Sequence, residues 1–248
     1  MKHILVVMAL FIWSAGVLFA KETVRIHGCV TDFNDQPLDS VLVSLKNRNF
    51  DNVYSVTTDA NGYYSMEVSK GQYLCLYAVK PSDYFKTKLE YWTWNVPAFR
   101  DLEINPQYER MEVYSVNAFE PQVRPYETYM VYFRPMSLAK VLKLSDLKNR
   151  SEFEKKSVAN KDTIDMAPSR LSKQELEISV NHVPAEVLNV TKTVEYGKGA
   201  YYYGYLVQIK KPHVEKKPVS DYDQITVVIH SEETNEHGKG DCFVKRVQ

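Results

Sequence analysis

The chain has 248 residues, with 31 lysines and arginines against 31 aspartates and glutamates, so its formal net charge is zero. A protein that binds nucleic acid through bulk charge normally carries a basic excess, so this balance argues against that class. Hydrophobic residues make up 44% of the sequence and charged residues 25%, which is ordinary for a globular protein and excludes disorder throughout. Tyrosine is unusually frequent: its 18 copies outnumber the phenylalanines and tryptophans together.

The first twenty residues have the pattern of an export signal. Lys2 precedes an apolar run that begins at Ile4, and small residues follow before Ala20. This is the order of regions in a secretory signal peptide, so we predict a signal peptide over 1–20 and a mature chain of 21–248. A retained anchor is the alternative, although an apolar stretch of about 17 residues is short for a spanning helix. We expect no lipid anchor, and no transmembrane span in the mature chain.

The stretch from 21 to 118 consists of short alternating runs that are typical of strands. Apolar residues recur at every second position over Val24–Val30 and Val41–Leu45. Turn residues such as Asp59-Ala-Asn-Gly62 separate the runs. Short β-rich runs punctuated by Gly, Asn, Asp and Pro predict an antiparallel sandwich or barrel.

The motifs of this half form a series along the chain. In order they are Gly28-Cys-Val-Thr-Asp32, Pro37-Leu38, Val41-Leu-Val43, Thr57-Thr-Asp-Ala-Asn-Gly-Tyr63 and Gly71-Gln-Tyr-Leu74. The series resembles the carboxypeptidase regulatory-like domain, most closely over 24–80, with 96–106 and 111–118 as the last strands. The resemblance implies a seven-stranded sandwich of transthyretin-like (prealbumin-like) topology that performs no hydrolysis itself. Gly62 and Gly71 are then expected in tight turns that need a positive φ.

The second half, 119–248, resembles no family that we can name. Ser137 can cap a helix, and the apolar stripe after it predicts a short helix near 137–148, followed by a charged loop over 148–170. At least six strands suggest an immunoglobulin-like sandwich. We therefore predict an all-β protein of two β-sandwich domains, 21–118 and 119–248. The strand candidates of this half are 126–134, 176–181, 187–196, 201–209, 224–230 and 242–247.

The three cysteines offer no catalytic or zinc pattern. An odd number forbids complete pairing within the chain. Cys29 and Cys75 both lie in predicted strands of the first half. They either form a disulfide or remain buried thiols that act as small hydrophobic residues. The sequence also lacks a Gly-x-Ser-x-Gly motif and a glycine-rich phosphate loop.

The stretch from His230 to His237 is a weak metal candidate. It combines two histidines with three glutamates, and imidazole and carboxylate groups are acceptable zinc ligands. The spacing matches no zinc motif, and a solvated hairpin turn is the favoured interpretation. We predict no metal and no cofactor.

Two aromatic strands give the better binding hypothesis. Alternation places Trp92 and Trp94 on one face of their strand, and Tyr201, Tyr203 and Tyr205 on one face of theirs. Exposed rings on such a face can stack on sugars or fill a protein interface. The alternative, which we favour, is that these rings fill a sandwich core.

The combined features predict an exported, non-catalytic binding or structural module of the bacterial cell envelope. We expect it in the periplasm or at the surface of a Gram-negative bacterium, or secreted, with an envelope protein or a glycan as its partner. One alternative is a carbohydrate-binding protein that uses the aromatic strand faces. Another is a hydrolase whose carboxylates lie between the two domains. The oligomeric state stays open.

Overall fold

The computed structural model describes residues 22–122, 127–145, 163–197, 200–213 and 221–246. The predicted signal peptide lies outside these residues, as does 148–162 of the predicted charged loop. In chain order, the described elements are β1 (Thr23–Cys29), β2 (Leu42–Lys46), β3 (Asn52–Thr57), β4 (Tyr63–Ser69), β5 (Gly71–Val79), β6 (Tyr91–Ala98), β7 (Leu102–Glu103), β8 (Met111–Phe119), β9 (Thr128–Ser137), α1 (Leu138–Ser145), β10 (Thr163–Ile164), a 3-10 helix (Lys173–Glu175), β11 (Leu176–Val180), β12 (Val183–Pro184), β13 (Val187–Gly197), β14 (Ala200–Lys210), β15 (Tyr222–Ser231) and β16 (Glu236–Lys245).

One sheet of eight strands runs through both halves of the chain. Its order is β12-β11-β15-β16-β6-β5-β2-β3. The halves meet where β16 pairs in parallel with β6, so that Asp241 lies opposite Thr93 and Cys242 opposite Trp94. A sheet of order β4-β1-β7 and a sheet of order β10-β14-β9-β8, with β13 also on β14, complete the fold.

The two hydrophobic cores lie on opposite faces of this shared sheet. In β16, Phe243 packs in the first core with residues of β1 to β6, whereas Cys242 packs in the second core with β8, β9, β14 and β15. Successive residues of a strand point to opposite faces, so the cores flank the sheet from opposite sides. The first core lies against β4-β1-β7, and the second against the sheet that contains β14.

The all-β sandwich fold and the short helix agree with the prediction. Ser137 caps α1, because its Oγ accepts a hydrogen bond from the Lys140 amide at 3.2 Å. The strand 111–118, which the sequence assigned to the first sandwich, pairs instead with β9 and buries Met111 and Val113 in the second core. The division of the chain at residue 118 stays a prediction.

The two glycines expected in tight turns differ. Gly62 has a φ of 74°, and a Cβ there would lie 2.5 Å from the carbonyl oxygen of Val30. For Gly71 the expectation is wrong: it is the first residue of β5 and is not among the residues with positive φ. The physical reason is that β4 and β5 belong to different sheets, so the chain crosses between sheets here and makes no tight reversal.

Candidate functional site

The predicted aromatic residues of β6 lie at the contact between the two sandwiches. Trp92 and Trp94 stack with ring centroids 5.4 Å apart. Tyr114 of β8 contacts both edge to face, at 5.3 and 5.1 Å. Tyr77 of β5 lies 4.5 Å from Trp92, and Phe50 lies 5.8 Å from it. We call these five residues the junction cluster, since they connect the outer face of the first sandwich to the second.

Neighbouring rings cover most of the tryptophan surface. Only 5% of Trp92 is exposed. Trp94 is half-buried, and among the described residues its buried Nε1 has no hydrogen-bond partner. Stacking on a sugar needs an open ring face, which Trp92 does not offer. The ligand-binding role of this pair stays a prediction, and Trp94 is the partly accessible member.

Phe50 covers the tryptophans from a strained position. It lies in the turn between β2 and β3, has a φ of 72°, and is 43% exposed. A bulky residue with positive φ is uncommon, and such strain often accompanies functional sites. The ring contacts of Phe50 with Trp92 and Trp94, and the Lys46 ammonium 5.1 Å from its centroid, offset that strain.

An arginine extends the junction cluster across the second sandwich. The Arg134 guanidinium carbon lies 4.8 Å from the ring centroids of both Tyr114 and Tyr202. Its Nη1 is 3.3 Å from the carboxylate of Glu195, which also accepts a hydrogen bond from the Tyr132 hydroxyl. Cation–π contacts of this kind favour planar arginine over lysine.

One buried acid faces the junction cluster. Glu90 accepts hydrogen bonds from the Tyr77 hydroxyl at 2.8 Å and from Trp92 Nε1 at 3.2 Å. Burial raises the pKa of the Glu90 carboxyl, although these hydrogen bonds and Lys46 oppose the shift. A raised pKa fits a carboxyl that helps hold rings in place, and is also a feature of catalytic acids.

Tyr201, Tyr203 and Tyr205 of β14 share one face of the strand, which is the face of the second core. Tyr205 is 1% exposed, and its hydroxyl donates to the carbonyl oxygen of Pro168 at 2.8 Å. Tyr203 is half-buried beneath the Lys192 ammonium, 4.0 Å from its centroid. Tyr201 contacts Tyr196 of β13 with centroids 5.1 Å apart. Their predicted role in ligand binding remains a prediction, and burial removes Tyr205 from any accessible surface.

His230 and His237 lie opposite each other at the end of the β15–β16 hairpin, as the predicted turn requires. Their Nδ1 atoms are 2.7 Å apart, and His230 Nε2 is 3.2 Å from a carboxylate oxygen of Glu177. Phe33, in the turn after β1, packs on His237 at 5.5 Å. In the described parts of the chain, no three His, Cys, Asp or Glu side chains are placed to hold a metal ion.

These histidines line a cleft of about 560 Å³ between the sandwiches. Arg110 and Glu236 also line it, and Arg110 Nε is 3.3 Å from Glu236 Oε1. Glu236 is 1% exposed and accepts hydrogen bonds from Ser137 Oγ and from the Ala139 amide. This carboxylate therefore fixes the start of α1, a role that the sequence analysis missed because the two segments are far apart in the chain.

The three cysteines are free thiols. Cys29 lies on β1, and its Sγ is 3.2 Å from the Asn61 carbonyl oxygen, whereas Cys75 is buried on β5 in another sheet. Burial raises the pKa of the Cys75 thiol to about 12 and also raises that of Cys242. The sequence left open whether Cys29 and Cys75 form a disulfide or remain free thiols. In the structure they are free thiols on separate sheets.

Comparisons with known proteins supply no family for this chain. No family model matches it, and no curated protein is similar to it. In the residues described, no helix has the length and hydropathy to cross a membrane.

Some solved structures share weak similarity with the chain. The major pilin BcpA of Bacillus cereus is 14% identical over 90% of this chain and 69% of its own, with a TM-score of 0.27. A DUF3823 family protein from Parabacteroides merdae is 11% identical over 90% and 98%, with a TM-score of 0.25. The major pilin SpaD of Corynebacterium diphtheriae is 11% identical over 89% and 64%, with a TM-score of 0.22. Scores this low carry no conclusion about function.

Proposed function

We propose that the chain is an exported, non-catalytic structural or binding module of the bacterial cell envelope. The observation that carries this proposal is the eight-stranded sheet, which is hydrogen-bonded through both sandwiches and packed at its middle by the junction cluster. A sheet shared by two cores resists bending between them. Such a rigid unit suits holding partners at a fixed spacing better than closing around a substrate.

The buried acids support a structural role. Asp241 is fully buried and accepts hydrogen bonds from Tyr91, Thr226 and Gln224. Glu236 fixes the start of α1 in the same way. Each of these carboxylates is occupied by the fold, whereas a general acid or base must have access to a substrate proton.

The export route and the partner follow from the sequence and belong to the same proposal. The leader over 1–20 directs the chain to the periplasm, to the surface or to the medium of a Gram-negative bacterium. The partner is an envelope protein or a glycan. Carbohydrate binding is a second candidate, because Phe50 and Trp94 keep part of their ring surface accessible in the junction cluster.

The test is crosslinking of the native protein in intact cells, followed by fractionation and identification of its partners by mass spectrometry. We expect recovery in the envelope or medium with a stoichiometric envelope partner. Recovery from the cytoplasm would contradict export. Glu109 also lines the cleft between the sandwiches. Hydrolytic turnover by the purified protein that is lost in Glu109→Gln, with an unchanged fold, would favour the hydrolase with a site in that cleft.

Binding on a glycan array that weakens in Trp94→Phe but not in Tyr63→Phe would favour the carbohydrate candidate. Tyr63 is a matched control, because it is 45% exposed on β4 and lies outside the junction cluster. No binding by well-folded protein would remove that candidate.

A further inference from the structure

Strand β13 is a long sheet edge. It pairs with β14 along one side, from Val187 to Gly197, and no described strand pairs with its other side. Eleven residues of strand extend for about 36 Å. The other edge strands of the described chain are shorter: β8 has nine residues, β4 has seven, β3 has six, and β7, β10 and β12 have two each. An exposed row of unpaired backbone groups is a template for pairing with another strand.

The most exposed large apolar side chains of the described chain lie on this edge. Val194 is 54% exposed and Tyr196 is 66% exposed. Both lie on the face of β13 that continues the second core, opposite Tyr203 and Tyr201 of β14. They extend past the end of the core, so apolar surface is left open beside an open backbone edge.

The charges of β13 do not protect the edge. Lys192 donates to the carbonyl oxygens of Pro168 and Ser169, at 3.2 and 3.1 Å, on the core face. Glu195 is held on the opposite face by Tyr132 and Arg134. Lysine usually protects an edge by projecting into the path of an incoming strand, and Lys192 is tied back instead.

We propose that β13 is a docking edge at which a second copy of this chain adds its own β13 in antiparallel register. This inference rests on the proposed structural role and adds a second copy of the chain as one of its partners. The occupant follows from the complementarity of β13 with itself. With Thr193 opposite its copy, Lys192 lies opposite Val194, Val190 opposite Tyr196, and Thr191 opposite Glu195.

That register brings no like charges directly together and places threonine opposite threonine, a favourable cross-strand pair. Directly opposed residues share a face, and each pair in this register satisfies that requirement. A register centred on Lys192 would oppose two ammonium groups, which disfavours it. The isologous pair closes with two-fold symmetry, so it ends at a dimer.

The first test is sedimentation of the purified protein over a range of concentrations. We expect a reversible monomer–dimer equilibrium, which Val194→Lys weakens about tenfold or more because it puts lysine opposite Lys192 of each copy. Val53→Lys is the matched control, since Val53 is 41% exposed on the edge strand β3. A protein that stays monomeric at all concentrations would overturn the proposal, as would a dimer that Val53→Lys weakens and Val194→Lys leaves intact.

The second test examines the register by mild oxidation of Thr193→Cys. Directly opposed residues have Cα atoms about 4.5–5.5 Å apart, which is within disulfide range. Thr193→Cys is therefore expected to form a covalent dimer above the wild-type background. In Thr191→Cys the two thiols lie about 13 Å apart along the strand and should not crosslink.

Equal crosslinking of the two cysteine variants would contradict the register. The outcome is separable from the proposed function, because a monomer that still crosslinks to envelope proteins in cells refutes only the dimer.

Discussion

Strands β6 and β14 both carry alternating aromatic residues, yet the structure uses them differently. In β6, rings from β5, β8 and the Phe50 turn cover Trp92 on the outer side of the first sandwich. In β14, exposure rises along the strand from the buried Tyr205 to the half-buried Tyr201, and reaches 66% at Tyr196 on the adjacent β13. The difference follows from position in the sheet.

A central strand has neighbours on both sides and receives a covering layer from the other sandwich. Strand β6 lies between β16 and β5 and holds the two halves together. The β13–β14 hairpin has one open side and extends past the end of the second core. The same sequence pattern therefore stabilises the molecule in one place and provides a surface for a partner in the other.

The largest effect is expected from Trp92→Ala. Removing a buried indole from the junction cluster should lower the free energy of unfolding by about 3–5 kcal/mol, measured by urea denaturation. Tyr196→Ala is the control, and should cost less than about 0.5 kcal/mol in the monomer because its ring is largely exposed. Equal losses in the two variants would contradict the difference drawn between these strands.

A smaller loss of unfolding free energy is expected from a substitution where β16 crosses β8. A Cβ on Gly240 would lie 2.4 Å from the Val113 carbonyl oxygen, whereas a Cβ on Gly71 would meet nothing within 4 Å. Gly240→Ala should therefore cost about 1–3 kcal/mol of unfolding free energy, since backbone must shift to make room. Gly71→Ala should be neutral or slightly stabilising. An unchanged denaturation midpoint in Gly240→Ala would contradict the close approach of β16 to β8 at this position.

Arg134→Ala should lower the free energy of unfolding by about 1–2 kcal/mol, because the guanidinium contacts two rings at a partly exposed site. Arg134→Lys keeps the charge but loses the planar stacking, so it should recover only part of that stability. The measurement is again the unfolding free energy. Full recovery by lysine would show that charge rather than stacking with Tyr114 and Tyr202 matters.

The smallest effect concerns pH. Because burial raises the pKa of Glu90 above 4.5, the folded state holds its proton more tightly than the unfolded state. Stability from this group is complete at low pH and falls as pH rises from about 4.5 through the folded pKa. Wild-type protein should therefore lose stability relative to Glu90→Gln as pH rises, in thermal unfolding curves. A stability difference that is constant with pH would refute the shift.

Local patterns in the sequence predict much of the fold. Alternation locates most strands, Ser137 marks the start of α1, and the Asp59–Gly62 turn has the predicted positive φ at Gly62. Local patterns cannot show which strands pair across long separations. The contact of Tyr91 with Asp241, for example, joins residues 150 apart in the chain.

The site is less predictable than the fold. Alternation correctly puts Trp92 and Trp94 on one face, but burial depends on Tyr114 and Phe50, which no local pattern connects to them. Alternation also places Val194 on the core face, yet Val194 is 54% exposed, whereas Val190 on the same face packs against the second core. The exposure of a side chain depends on its neighbours in the tertiary structure, and local sequence patterns do not show these neighbours.

The most direct test is amide hydrogen exchange along β6 and β13 at increasing protein concentration. We predict that β6 amides are protected at every concentration. The β13 amides that do not bond to β14 should gain protection as concentration rises, and should lose that gain in Val194→Lys. Exchange along β13 that is independent of concentration, or β6 amides that exchange as fast as β13 in the monomer, would contradict the account of a packed junction and an open docking edge.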